Sequence, residues 1–365
     1  MNLQILYQWT EEIATHLPSL NSWQVENVAL FSQGVIRAES CQQQAIARQV
    51  VCGERVESAA RRLRRFLDND RFPLVAFCAE WTRWVVAGLP ASDRLYLLVD
   101  ETKLADRLAV MVVGLAWEGR CIPLAWRCYP ANSAAGYPAE GQVQLIAGLL
   151  GMVRAGLETQ QQVVLLADRG IGTSPDLCRV VADLGWHYLF RVTSQSKVCT
   201  PEGEYMIAHM VDEGQYWAMS GQVFKQRGRL PAHARALWSP GYDEPWALVT
   251  NDETLTGFEY ACRNWQEQSF RDLKSGGWQW AHSRISHPDH MDRLLVLLVV
   301  AYAWMLALGG QAVRRGLAHP LQRHPCLQMR RHWSLFKEGL QFFVEVVQRL
   351  GEFLHLVFLP DPRPS

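Results

Sequence analysis

Two aspartates each follow a short apolar run: Asp100 closes LLVD and Asp168 closes LLAD. A third carboxylate, Glu267, lies in a stretch that reads as a helix over 254–274 and stops at Gly276-Gly277. In that stretch Tyr260, Arg263, Glu267 and Lys274 project at about 0°, −60°, −20° and −40° around a helix of 100° per residue, which gathers them on one narrow face. Phe270 shares the stripe, so the face is expected to look inward. Three carboxylates from two strands and a helix are a hard-oxygen set suited to two Mg²⁺ ions, with Mn²⁺ a workable substitute. Two such ions serve in-line phosphoryl displacement by activating the attacking oxygen and stabilising the leaving one. Arg263 and Lys274 are then expected to bind the flanking phosphates.

These residues need a scaffold, and the flanking sequence supplies one. Apolar runs at 95–99, 108–117, 121–129, 163–167 and 188–192 read as strands, with a hairpin signal at Glu118-Gly119. Helical patterns cover 142–157 and the segment from Ser174 to Leu184, capped by Ser174 with Pro175 at its first position. The order predicts an antiparallel meander followed by helical crossovers, hence an α/β fold with a mixed sheet flanked by helices. In such sheets, residues at strand ends line the natural crevice.

The expected domains are a helical N-terminal DNA-binding domain (1–90), a first part of the catalytic core (91–192), an all-β insertion (193–250), a second core part (251–310) and a C-terminal helical region (311–365). In the first, Ser22 is expected to cap a helix to about Arg37, and others cover 42–51 and 56–68. The last of these carries Arg61, Arg62, Arg64 and Arg65, a solvated face or a phosphate-contacting one. In the insertion Lys225, Arg227, Arg229 and Arg235 cluster beside Trp217, Trp238 and Trp246.

The apolar run 294–308 is about 15 residues, shorter than the ~20 a bilayer span needs, and reads as a core helix. Nine cysteines without any C-x-x-C pair indicate neither a zinc knuckle nor a disulfide framework, which fits a reducing cytosol. His282, His287 and His290 lack a partner at zinc-like spacing and are expected to be structural or to meet a DNA backbone. With 36 basic and 36 acidic residues the chain is neutral, which excludes a polycationic coat but leaves room for local basic stripes.

The spacing in YACRNWQEQSFRDLK, with the strings VDET and ADRGIGT, resembles the signature of IS4-type DDE insertion-sequence transposases over about residues 95–310. The resemblance implies an RNase H-like core with Asp100, Asp168 and Glu267 as catalytic metal ligands. It implies cut-and-paste transposition of double-stranded DNA through a hairpin intermediate, with Tyr260, Arg263 and Lys274 contacting DNA near the cut. It also implies a flipped base stacked on tryptophan, for which Trp238, Trp246 and Trp265 are the candidates, although Asn264 stands where a relative places tryptophan. A homodimer holding two terminal inverted repeats, a cytoplasmic nucleoid-associated location and no membrane role follow from the same likeness. A non-catalytic DNA-binding relative acting as a regulator, and an RNase H-like nuclease without strand transfer, are the alternatives.

Overall fold

The computed structural model describes every residue except 1, 52–54, 93, 134–135, 226–227, 324–328, 332 and 363–365. Its N-terminal region is helical: α1 (Leu3–His16), α2 (Ser22–Ala38), α3 (Gln43–Val50), α4 (Val56–Leu67) and α5 (Leu74–Ala87). The cap of α2 is Asn21, one residue before the serine expected from the sequence. Its side chain accepts from the Gln24 N–H while the Gln24 side chain accepts from the Asn21 N–H, so two otherwise unpaired donors are satisfied together. Helix α4 buries Ala59, Ala60, Leu63, Phe66 and Leu67 and leaves Arg61, Arg64 and Arg65 exposed. Arg62 turns back to α2, with Nε 2.8 Å from Asn27 Oδ1 and Nη2 3.3 Å from Glu26 Oε2.

Strands β1 (Arg94–Leu104), β2 (Leu108–Trp117) and β3 (Arg120–Pro130) form the antiparallel meander. The β2–β3 turn has positive φ at both Glu118 (46°) and Gly119 (82°), the twist-matched form of a two-residue hairpin. Helix α6 (Gly141–Arg154) leads to β4 (Gln162–Ala167), parallel to β1. The single turn α7 (Arg169–Gly172) and α8 (Pro175–Asp183) then lead to β5 (His187–Arg191), parallel to β4.

The segment 193–250 is β-rich, as its alternation suggests, and its strands all join the same sheet. They are β6 (Lys197–Thr200), β7 (Gly203–Met206), β8 (Tyr216–Val223), β9 (Leu230–Leu237) and β10 (Trp246–Thr250). The order is β3-β2-β1-β4-β5-β10-β9-β8-β6-β7, ten strands in one mixed sheet, with β10 antiparallel to β5. Arg235, grouped from the sequence with the exposed bases, is buried in β9. Its guanidinium donates to the carbonyls of Leu255 (3.0 Å) and Glu253 (2.9 Å).

Helix α10 (Pro288–Arg314) is 27 residues, longer than the apolar run 294–308, because it starts at Pro288 and continues past the run to Arg314. It is long and apolar enough to cross a bilayer, yet 94% of its most apolar window is buried within the fold. It packs on β3, α2 and α11 (Leu335–Phe342). The α10–α11 contact depends on reciprocal glycines. A Cβ on Gly309 would fall 2.0 Å from the Leu335 carbonyl oxygen, and one on Gly339 would fall 1.8 Å from that of Met305.

Candidate active site

The parallel pairing of β1 with β4 ends at Val99 and Ala167. Asp100 and Asp168 are the next residues on each strand, so the register alone sets them side by side. Asp100 is not past the end of its strand, as the sequence suggests. The polar residues 101–103 continue β1 as far as Leu104, held by β2 from Asp100↔Val112 to Leu104↔Leu108. Asp168 does lie beyond β4 and caps α7, its Oδ1 accepting the Ile171 N–H at 3.1 Å.

The stretch expected as one helix over 254–274 is built in three pieces. A 3-10 turn (Phe258–Arg263) is followed by α9 (Asn264–Arg271) and a wider π-type turn (Asp272–Gly276). Gly257, at φ 99°, opens it. Three side chains fix α9 and the turn that follows it to the meander. Gln266 Nε2 donates to the Val112 carbonyl (3.1 Å), Ser269 Oγ accepts the Cys121 N–H (2.6 Å), and Asp272 Oδ2 lies 2.5 Å from Arg120 Nε. Tyr302 of α10 adds its hydroxyl, 3.1 Å from Ser269 Oγ. With that face docked, Glu267 is left on the open side, its side chain 62% exposed.

Arg263 occupies the centre. Its Nη2 is 2.9 Å from Asp100 Oδ2 and 3.7 Å from Asp168 Oδ2, and its Nη1 is 3.4 Å from Glu267 Oε1. Arg263 is 6% exposed. Burial opposes its charge, but Asp100, Tyr260, Asp168 and Glu267 outweigh that and raise its pKa. Asp100 is pushed up to about 6, first by burial and then by its acidic neighbours, against the pull of Arg263. Lys274 reaches the same end of β1, its Nζ 2.6 Å from Thr102 Oγ1. Burial lowers its pKa while Asp100 opposes the change.

An open cleft of about 680 Å³ runs outward from these groups, walled by Asp168, Arg169, Arg191, Tyr242, Glu244 and Trp246. Trp246 meets Tyr260 edge-on at 5.1 Å, and Tyr260 is buried behind it. Burial pushes the Tyr260 phenol up. Glu244 joins two arginines at the mouth, 2.6 Å from Arg191 and 3.3 Å from Arg169.

Of the tryptophan candidates, Trp246 lines this cleft. Trp238 is half-buried and donates its indole N–H to the Tyr242 carbonyl (2.8 Å), and Trp265 packs against the small cluster around Leu98 and Tyr260. Lys225 and Arg229 line a separate hollow with Lys197 and Glu204, Arg229 being 3.2 Å from Glu204. Arg227 lies outside the described residues. Arg61, Arg62, Arg64 and Arg65 sit on α4 and none lines the cleft. His287 and His290 touch ring to ring at 4.5 Å, and His290 faces Asp68 at 3.4 Å.

Sequence reading passed over Arg169, Arg191 and Glu244, which are far apart in the chain, and Gln266, Ser269 and Asp272. The last three carry a signal, since their spacing of three residues marks the docked face of α9.

The donor chemistry suits a hard divalent cation: three carboxylates, one of them largely buried, where burial raises its pKa and a positive partner favours its charged form. Among the described residues, however, no three acidic, histidine or cysteine side chains are gathered tightly enough to hold an ion. The Arg263 guanidinium lies between them.

Residues 138–304 match the family model described as the transposase DDE domain. That is 167 of the 365 residues, reaching from just before α6 into α10. It takes in Asp168, Tyr260, Arg263, Glu267 and Lys274 but begins after Asp100. No curated protein matches the chain. The match, on a mixed α/β sheet flanked by helices, supports a DDE transposase.

Proposed function

We propose that the protein is a DNA transposase that cuts both strands at the ends of its element, through a hairpin, and joins the freed 3′-hydroxyl to target DNA. The observation that carries this reading is the convergence of Asp100, Asp168 and Glu267 on one guanidinium at the head of an open cleft. Those three carboxylates would hold divalent cations, Mg²⁺ or in its place Mn²⁺. When bound, such ions activate the attacking oxygen and stabilise the leaving one.

The chain's own groups do the rest. Arg263 and Lys274 lie beside the carboxylates, and Arg169 and Arg191 line the cleft with Glu244 offsetting their charge, so a phosphodiester backbone laid along the cleft would draw on both pairs of donors. Trp246, backed edge-on by Tyr260, offers an aromatic surface beside the carboxylates. Stacking a displaced base there contributes about 1–3 kcal/mol, comparable to the cost of unstacking it. The duplex is double-stranded DNA carrying terminal inverted repeats, held by two protomers in the cytoplasm at the nucleoid. The N-terminal helices, with Arg61, Arg64 and Arg65 exposed, are the proposed end-binding domain, and Lys225, Arg227 and Arg229 a further contact.

The test uses a plasmid carrying the DNA that flanks the reading frame. Wild type should nick and then release the ends with Mg²⁺ and be inert with EDTA, and Glu267→Gln should be inert in both. Full cutting by Glu267→Gln would end the assignment. Cutting without joining of a pre-cleaved end would leave only a nuclease. Tight end binding without metal-dependent cutting would leave a regulator. Mass photometry showing one protomer per end in the cutting complex would exclude the dimer.

A further inference from the structure

The geometry points to a second role for Arg263: it is the resident counter-cation of the carboxylate cluster, and a divalent ion can enter only when its guanidinium leaves. The inference rests on the proposed metal-holding role of the three carboxylates and concerns how access to them is controlled.

Three observations carry it. The guanidinium reaches all three carboxylates, at 2.9, 3.7 and 3.4 Å, so the oxygens an ion would need already face a cation. It does so from a buried position, its side chain 7% exposed, where an arginine is stable only against opposite charge. Its Nε is buried and has no hydrogen-bond partner among the described residues, so the head group meets the carboxylates at the expense of one donor. Among the described residues Arg263 is the only cation ion-paired with Asp100, while Lys274 donates to Thr102 at 2.6 Å. Guanidinium and ion therefore compete for the same oxygens, and the apparent ion affinity falls by the fraction of molecules in which Arg263 is withdrawn. An anion that takes the guanidinium, as a DNA phosphate would, must by linkage raise the affinity for the ion.

The test is Mn²⁺ binding to the metal-free full-length chain, measured by calorimetry and by the shift of melting temperature with added Mn²⁺. Arg263→Gln should bind Mn²⁺ about tenfold or more tighter than wild type. It should also gain more thermal stability from the ion, because the ion restores the missing positive charge. Asp168→Asn added to Arg263→Gln should remove both gains. Arg263→Lys, which keeps a charge but cannot span three carboxylates, should fall between and serves if Arg263→Gln does not fold. Equal Mn²⁺ affinity in wild type and in the Arg263 variants, still sensitive to Asp168→Asn, would overturn this inference and leave the metal-holding reading intact. Absence of Mn²⁺ binding in every variant would overturn both.

Discussion

Ser269 Oγ accepts the backbone N–H of Cys121 at 2.6 Å and donates to the Trp265 carbonyl at 3.0 Å, fastening the middle of α9 to the first residues of β3. Glu267 lies two residues away on the opposite face. Ser269→Ala would leave the Cys121 N–H buried and unpaired, at a cost of about 1–3 kcal/mol. We expect cutting to slow by about tenfold through a lower kcat, with KM for DNA little changed, because the carboxylate is misplaced and not removed. An unchanged kcat would show that α9 is held without this bond.

Glu267→Gln and Asp168→Asn should behave differently from Ser269→Ala. Both side chains are well exposed, at 62% and 42%, so their loss should hardly move the melting temperature while abolishing metal-dependent cutting. A melting temperature lowered by many degrees would mean these residues hold the fold.

Glu244 neutralises Arg169 and Arg191 at the cleft mouth. Glu244→Gln should free both for phosphate, so that a duplex of arbitrary sequence binds several-fold tighter in EDTA and with a steeper salt dependence. Arg191→Gln should do the reverse. Fluorescence anisotropy across a salt series measures both, and identical slopes in all three proteins would remove these arginines from the DNA path.

Gly339→Ala should destabilise the fold far more than an ordinary surface change. The added methyl would meet the Met305 backbone at 1.8 Å, and backbone cannot turn aside as a side chain can. Overpacking of this kind costs roughly 1–3 kcal/mol or more. Urea denaturation would detect it, and a midpoint equal to wild type would show that α10 and α11 can part without loss.

Asp292, on α10, is buried with Oδ1 accepting the Cys128 N–H at 2.9 Å. Burial, with Asp289 adding and Arg127 opposing, raises its pKa to about 7 from the ordinary 3.8. Between these values the folded chain holds a proton that the unfolded chain has lost, so this residue's contribution to stability falls as pH rises from about 4 to about 7. The upper bound is ~4 kcal/mol. Asp292→Asn should remove the decline, so the two proteins' stabilities should separate toward high pH. Parallel curves by urea titration at pH 4.5, 6 and 8 would contradict this.

The strands of the core were legible because residues buried on both faces must be apolar throughout, as β2 and β4 are. Asp100 was placed at a strand end because the signal it follows stops there. The polar half of β1 is a strand only through its partner β2, and pairing of that kind leaves no mark in a single segment. The stretch around Glu267 was read with one helical period, whereas the chain changes from 3-10 to α to π within it. Arg263 and Glu267 stay neighbours because residues 264–267 lie in the α-helical piece, where four residues make nearly one turn. The Glu244 pairing with Arg169 and Arg191 spans 75 and 53 residues, and no local pattern encodes a contact at that distance.

The place of α10 also sets the order in which the molecule can be completed during synthesis. The β1–β3 meander needs only neighbouring residues and can form as soon as residue 130 is available. α5 and α6 pack on β3 early in the chain, whereas α10, which also packs on it, begins only at Pro288. At roughly 5–20 residues per second, the part of β3 that α10 covers waits about 10–30 s for that helix. Pairings of such long separation also form slowly. During that interval the nascent chain carries apolar surface that its own later helix has yet to bury, and aggregation competes with completion of the fold.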